Sequence, residues 1–184
     1  MPSGWPFIET ERKFLVRSPS WRAQAARSIV IRQSYLDSIP GLTVRVRQID
    51  DQFVLTFKTA AVGISRGEIE IPIGDACAAW LFSLCPCPAI EKERHLVVLG
   101  DVTWEIDVFH GRHLGLILAE IELAHPLQDV ALPEWVSREV TDDPRYKNSH
   151  LYRQDGPPTT VGGDLTMSPG AGLDMPAQPV LTQV

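Results

Sequence analysis

Apolar and polar residues alternate with a period of two through most of the chain up to Leu123. Eight segments carry the pattern: 7–16, 29–36, 42–49, 53–59, 67–73, 91–99, 102–109 and 116–123. Each is short, β-branched or aromatic on one parity, and bounded by turn sequences such as "SIPG", "IDDQ", "AVGISRG" and "GRHLG". Helical patterns are fewer. "SPSWRAQAAR" offers Ser18 as a cap with Pro19 in the first turn, and "GDACAAWLFSLC" is apolar on most sides and stops at Pro86. "LPEWVSREV" and "DPRYKNSHLYRQ" read as two short C-terminal helices. Many strands without βαβ alternation predict an antiparallel sheet, sandwich or barrel.

Side chains two apart on a strand share a face, and on these strands the polar face is charged. Glu9, Glu11 and Lys13 share a face, as do Arg45 and Arg47, Glu68 and Glu70, Lys92 and Arg94, Glu105 and Asp107, and Glu120 and Glu122. Lys58 lies with Thr56 and Val54, opposite Phe53, Leu55 and Phe57. Any one of these strands is most simply an amphipathic strand with its charges in water. Taken together they are unusual, because most pairs are of like sign and sit roughly 7 Å apart along the strand. Like charges on neighbouring strands repel, so they call for a counterion that is not the protein. Acid pairs suit divalent metal and base pairs suit a polyanion, and a metal-bound polyphosphate meets both needs. A closed barrel would put these faces inside, with a few helices over part of its apolar exterior.

Composition adds a boundary. The chain has 184 residues, is 44% hydrophobic and 22% charged, and carries a formal net charge of -6. That suits one soluble domain, and an acidic total argues against nucleic acid as a partner. After Arg153 there is no Lys, Arg or aromatic residue, and Pro and Gly are frequent. The expectation is a folded domain over 5–153 and a disordered tail over 154–184. Cys77, Cys85 and Cys87 are odd in number and lack zinc-type spacing, so they read as structural or incidental thiols. No signal-peptide pattern and no long apolar run is visible, which predicts a cytoplasmic setting and no membrane partner.

The stretch "ETERK" matches a Glu-x-Glu-x-Lys signature, and "VRVR", "LTFK", "RGEIEIPI", "EKERHLV", "WEIDVFHG", "LAEIEL" and "EVTDDPRYKNSHL" follow in order. This series resembles the CYTH superfamily, the triphosphate tunnel metalloenzymes, and in particular its bacterial, inorganic triphosphatase-like branch, over about residues 7–152. The resemblance implies a mainly β (α+β) fold, an eight-stranded antiparallel closed barrel with a few covering helices. It also implies hydrolysis of the terminal phosphoryl group of a triphosphate, most simply inorganic tripolyphosphate, with Mg²⁺ or Mn²⁺, two ions in all.

Carried over by position, Lys13, Arg45, Arg47, Lys58, Lys92 and Arg94 correspond to residues that hold the triphosphate. Glu9, Glu11, Glu120 and Glu122 correspond to ligands of the catalytic metal. Glu68, Glu70 and Asp107 belong around a second metal or the attacking water, and Glu105 has the same parity without a clear family role. Glu70 and Glu122 are the candidates to orient the water. Tyr35 resembles a tyrosine that pairs with the first-strand lysine, Lys13, in a catalytic or a structural role. The remaining functional readings are a nucleoside or thiamine triphosphatase, a class IV adenylate cyclase-like activity, and a non-enzymatic polyphosphate-binding module. A monomer and a homodimer are both compatible with the pattern.

Other conspicuous residues have simpler readings. His95 falls on the apolar side of its strand, His110 and His113 fall in a turn, and Arg12 falls on the outer wall. Trp21 and Trp104 read as covering or core aromatics. Arg145 and Lys147 lie on the last short helix, where a solvated face is simpler than closure of a tunnel end.

Overall fold

The computed structural model describes residues 7–36 and 40–159. The tail expected over 154–184 lies outside the described residues from 160 onward. Among the described residues nine strands run β1 (Ile8–Val16), β2 (Ala25–Tyr35), β3 (Leu42–Ile49), β4 (Gln52–Thr59), β5 (Ser65–Ile73), β6 (Ile90–Leu99), β7 (Val102–Phe109), β8 (Ile117–Glu122) and β9 (Val136–Glu139). Two helices join them, α1 (Asp75–Ser83) and the single turn α2 (Asn148–Leu151).

All pairings are antiparallel, in the order β5-β4-β3-β2-β6-β7-β8-β1-β9, and β5 also pairs with β1. That last pairing closes eight strands into a barrel. It is short, with Ile8, Glu9 and Thr10 facing Gly67, Arg66 and Ser65. The rest of β1 lies along β8, from Glu11 opposite Glu122 to Leu15 opposite Leu118. β9 stands outside the closed set and pairs with the end of β1 across an irregularity between Phe14 and Val16.

The alternation places apolar residues on both sides of the wall, for different reasons. On the outside, Phe14, Trp104, Ile106, Ala119 and Ile121 are buried beneath a cover that contributes Trp21, Trp135 and Val136. On the inside, one end of the lumen is filled by Leu15, Tyr35, Ile90, Phe109 and Leu118, against which Tyr146, Leu151 and Tyr152 of the C-terminal segment pack. The Tyr152 hydroxyl fixes this plug by donating to Cys87 O and accepting from Cys87 N, both at 2.8 Å. The barrel is therefore a blind tunnel.

Two expected helices are not formed. "LPEWVSREV" contains strand β9, because Trp135 and Val136 face the outer apolar cluster and Arg12 bonds Glu139 at 2.7 and 3.0 Å. In "SPSWRAQAAR" a 3₁₀ turn spans Pro19–Gln24 and seats Trp21 in the same cluster. β2 then starts at Ala25, earlier than the alternation predicts, by pairing with Val97. "DPRYKNSHLYRQ" divides into a 3₁₀ turn at Pro144–Tyr146 and α2. Trp21 and Trp104 are fully buried, and the ring of His95 packs on Trp21 with centroids 4.9 Å apart. His113 lies in a short turn, as expected, but is also buried. None of Cys77, Cys85 and Cys87 is in a disulfide.

Candidate active site

The open part of the lumen is a cavity of about 470 Å³. Seven cations line it (Lys13, Arg45, Arg47, Lys58, Arg66, Arg94 and Lys147) and seven carboxylates face them (Glu9, Glu11, Glu68, Glu70, Glu105, Glu120 and Glu122). Among the described residues, apolar lining is confined to Phe7, Ile8 and the ring of Tyr35. The balance of charge explains how so many ionised groups share a partly buried space. Each loses hydration, and all of them except Glu122 and Lys147 are offset, among the described residues, by an opposite charge at ion-pair distance.

Three clusters hold the wall. Around β1, β4 and β5, Lys58 Nζ lies 3.0 Å from both oxygens of Glu9 and 2.9 Å from Glu68 Oε2. Arg66 Nε donates to Glu9 at 2.6 Å and its Nη2 to Glu11 at 2.8 Å. Burial raises the Glu9 carboxyl, but Lys58 and Arg66 outweigh it and hold the group at about 2. Burial and the neighbouring Glu9 push Glu68 the other way, up to about 7.

Around β3, β4 and β5, Glu70 Oε1 accepts from Arg45 at 3.0 Å, Arg47 at 2.6 Å and Thr56 at 3.0 Å. Partial burial opposes ionisation of Glu70, but Arg47 and Arg45 prevail and lower its pKa. The Nε atoms of Arg45 and Arg47 are buried and find no hydrogen-bond partner among the described residues. Such donors suit an anionic ligand.

Around β1, β6, β7 and β8, Lys13 and Glu120 form an ion pair at 2.8 Å. Burial alone would lower the Lys13 pKa, but Glu120 and Glu11 raise it, so Lys13 stays cationic. Arg94 reaches Asp107 at 2.7 and 2.8 Å, Glu120 at 2.9 Å, and also Glu105. Lys92 pairs with Asp107, and both side chains are fully inaccessible. Burial brings the Lys92 pKa down to about 8. Its ammonium also lies 5.5 Å from the centre of the Phe109 ring.

Most of the residues expected from sequence meet in this one cavity. Lys92 and Asp107 share the inward face but lie beneath the cavity floor, where they position Arg94 rather than line the space. Tyr35 lines the cavity, and its hydroxyl accepts from Gln33 Nε2 at 2.9 Å, while the Lys13 ammonium sits on Glu120. Arg12 is on the outer wall, as its parity requires. Arg145 is exposed and paired with Asp143, whereas Lys147 lines the cavity with Asn148 and Ser149.

Sequence reasoning missed Arg66. The signal is present: in "SRGEIE" it shares the parity of Glu68 and Glu70, but the alternation places the strand start at 67, two residues after β5 begins at Ser65.

The donor set can be tested for metal. Glu11 and Glu122 stand opposite each other in the β1–β8 ladder. The pKa of Glu122 is raised by partial burial and then by Glu9 and Glu11, so three carboxylates compete for the same space. Hard oxygen donors of this kind fit Mg²⁺ or Mn²⁺. Among the described residues, no three acidic, His or Cys side chains already converge as a cation cage. Glu9 and Glu11 are instead held by Arg66 and Lys58.

A closed antiparallel barrel whose lumen carries opposed acids and bases defines a class of protein, the charge-lined tunnel. The chain belongs to the CYTH family, whose domain matches residues 8–149. An inorganic triphosphatase of Acetivibrio thermocellus is 42% identical over 147 residues, covering 79% of this chain and 93% of that one. An inorganic triphosphatase of Nitrosomonas europaea is 35% identical over 148 residues, covering 78% and 95%. Among solved structures, the crystal structure of an inorganic triphosphatase matches with a TM-score of 0.58 and 31% identity, covering 79% of this chain and 95% of that one. No helix among the described residues is long and apolar enough to cross a membrane.

Proposed function

We propose that the protein hydrolyses the terminal phosphoryl group of a triphosphate, with inorganic tripolyphosphate as the substrate and Mg²⁺ or Mn²⁺ as the required ion. One observation carries this reading: a blind cavity in which seven cations and seven carboxylates face one another. A bare polyanion would want cations alone. A bare metal would want acids alone. A metal–triphosphate complex wants both, interleaved. The two relatives named inorganic triphosphatases support the choice of substrate, as does the small apolar lining, which offers little to a nucleobase or thiamine ring.

Arg45, Arg47, Lys58, Arg94 and Lys13 hold the phosphate oxygens, the arginines through planar forks and the lysines as point charges. Glu9 and Glu11 would hold one metal ion, with Glu68 and Glu70 facing a second and Glu122, opposite Glu11 in the ladder, left to the attacking water. Glu120 and Asp107 act mainly by aiming Lys13 and Arg94. When bound, the metal neutralises phosphate charge and lowers the pKa of a bound water. The protein's own share is positioning and charge compensation, which is most of what phosphoryl transfer needs. Of the two acids considered for orienting the attacking water, Glu70 is committed to two guanidinium groups, while Glu122 keeps a raised proton affinity. Glu122 is the better base.

The test is phosphate release from tripolyphosphate, ATP and thiamine triphosphate, together with cyclic AMP formation from ATP, each with Mg²⁺ and Mn²⁺. We expect tripolyphosphate to give the highest kcat/KM. Faster turnover of ATP or thiamine triphosphate would replace the substrate, and cyclic AMP would replace the reaction. Tight tripolyphosphate binding without turnover would leave a binding module.

A further inference from the structure

Arg66 occupies an unusual place. It lies on β5 in the three-pair ladder that closes the barrel, directly opposite Glu9. Its guanidinium spans two carboxylates of the neighbouring strand, donating from Nε to Glu9 and from Nη2 to Glu11. It also lines the same cavity as Arg45 and Lys58. These two carboxylates are the ones that a divalent cation would take, and no cage of free acids stands ready for it among the described residues. The guanidinium and the metal therefore compete for the same oxygens. A guanidinium displaced from them remains tethered inside the lumen, cationic, with its donors unpaired. The nearest use for those donors is a phosphate oxygen of the ligand in the same cavity.

We propose that Arg66 links the two binding events: it holds Glu9 and Glu11 in the metal-free tunnel, and a divalent ion at those carboxylates releases it to the triphosphate. The inference rests on the reading of Glu9 and Glu11 as metal ligands. It makes two assignments beyond that reading. The metal is opposed by an internal cation before substrate arrives, and triphosphate binds more tightly to metal-loaded protein partly because Arg66 has become free. Arg66 is thus a positioning residue in the empty tunnel and a phosphate contact in the loaded one.

Calorimetric titration tests this without turnover. Mn²⁺ is titrated into metal-free protein, and non-hydrolysable imidotriphosphate is titrated into metal-free protein in EDTA and into Mn²⁺-saturated protein. For Arg66→Gln we expect Mn²⁺ to bind about tenfold more tightly, the size of an ordinary coupling between sites. We expect imidotriphosphate to bind about tenfold more weakly to the Mn²⁺-saturated protein, with its weak binding in EDTA unchanged. Arg66→Lys keeps the charge but lacks the planar fork that donates from Nε to Glu9 and from Nη2 to Glu11, so it should shift both constants in the same directions by less; it also serves if the glutamine variant does not fold.

Unchanged or weaker Mn²⁺ binding in both Arg66 variants would overturn the proposal. So would equal weakening of imidotriphosphate with and without Mn²⁺, which would make Arg66 a fixed phosphate contact. Glu9→Gln and Glu11→Gln separate the two levels. If they abolish Mn²⁺ binding while the Arg66 variants leave it unchanged, the metal site stands and the link fails. If they leave Mn²⁺ binding intact, the metal site itself is wrong.

Discussion

Glu11 and Glu122 face each other across the β1–β8 ladder, two carboxylates in directly opposed positions. Arg66 compensates Glu11, while the pKa of Glu122 is raised by partial burial and by Glu9 and Glu11. Opposed like charges cost stability in a sheet. The position therefore favours a bound cation over the empty protein. We expect Glu122→Gln to raise the stability of the metal-free protein by about 0.5 kcal/mol and to cut kcat by on the order of 100-fold, the usual worth of a general base. Thermal melts in EDTA and phosphate-release assays check the two halves. A variant that gained no stability and kept its kcat would remove Glu122 from the site.

The buried pair Lys92–Asp107 should behave as structure before chemistry. Asp107→Asn leaves Lys92 buried without a carboxylate and frees Arg94 from its anchor. Its expected cost is about 3 kcal/mol, typical of breaking one partner of a buried pair. Lys92→Met keeps Asp107 on its two bonds from Arg94 and should cost less, about 1 kcal/mol. Urea titrations measure both. If Lys92→Met abolished turnover at unchanged stability and unchanged metal affinity, Lys92 would be a phosphate contact that the loaded enzyme exposes.

The pH dependence of stability should change sign with metal. Folding raises Glu68 to about 7 and Glu105 to about 6, in each case chiefly through burial. A carboxyl with a raised folded pKa favours the folded state when protonated, and this contribution is lost as pH rises from the unfolded value through the folded one. Glu9, held at about 2, works the other way, but its contribution is already complete above pH 5. Metal-free protein should therefore melt several degrees lower at pH 7.5 than at pH 5. Saturating Mg²⁺ should abolish or invert that difference, because a cation stabilises the ionised carboxylates. Melts in EDTA and in Mg²⁺ at the two pH values decide it.

Residues beyond 159 should be dispensable, whereas the plug should not. A chain ending at Thr159 is expected to keep its melting temperature and kcat/KM. Leu151 is fully buried in the plug with Tyr35, Phe109 and Tyr152, and Leu151→Ala should cost about 2–5 kcal/mol. Loss of folding on truncation at 159 would move the domain boundary, and an unchanged melt for Leu151→Ala would mean that the tunnel does not rely on its plug.

Much of this arrangement was legible in the chain. The eight strands of the barrel follow from a period of two, and the same period assigns Glu9, Glu11, Lys13, Arg45, Arg47, Lys58, Glu68, Glu70, Arg94, Glu120 and Glu122 to one face. The β9 segment was not legible, because "LPEWVSREV" is short enough to satisfy either periodicity, and contact with Phe14 and Arg12 settles it. A face is also not a depth. Lys92 and Arg94 share parity, yet one is sealed beneath the floor and the other lines the cavity. Depth along the tunnel depends on the stagger between strands and on where the C-terminal plug enters, and both are set by contacts between distant segments. Alternation within a strand reports which way a side chain points. The fold reports what lies there: Arg66 is at the seam because β5 meets β1, and Lys147 is at the cavity because the chain returns to close the tunnel.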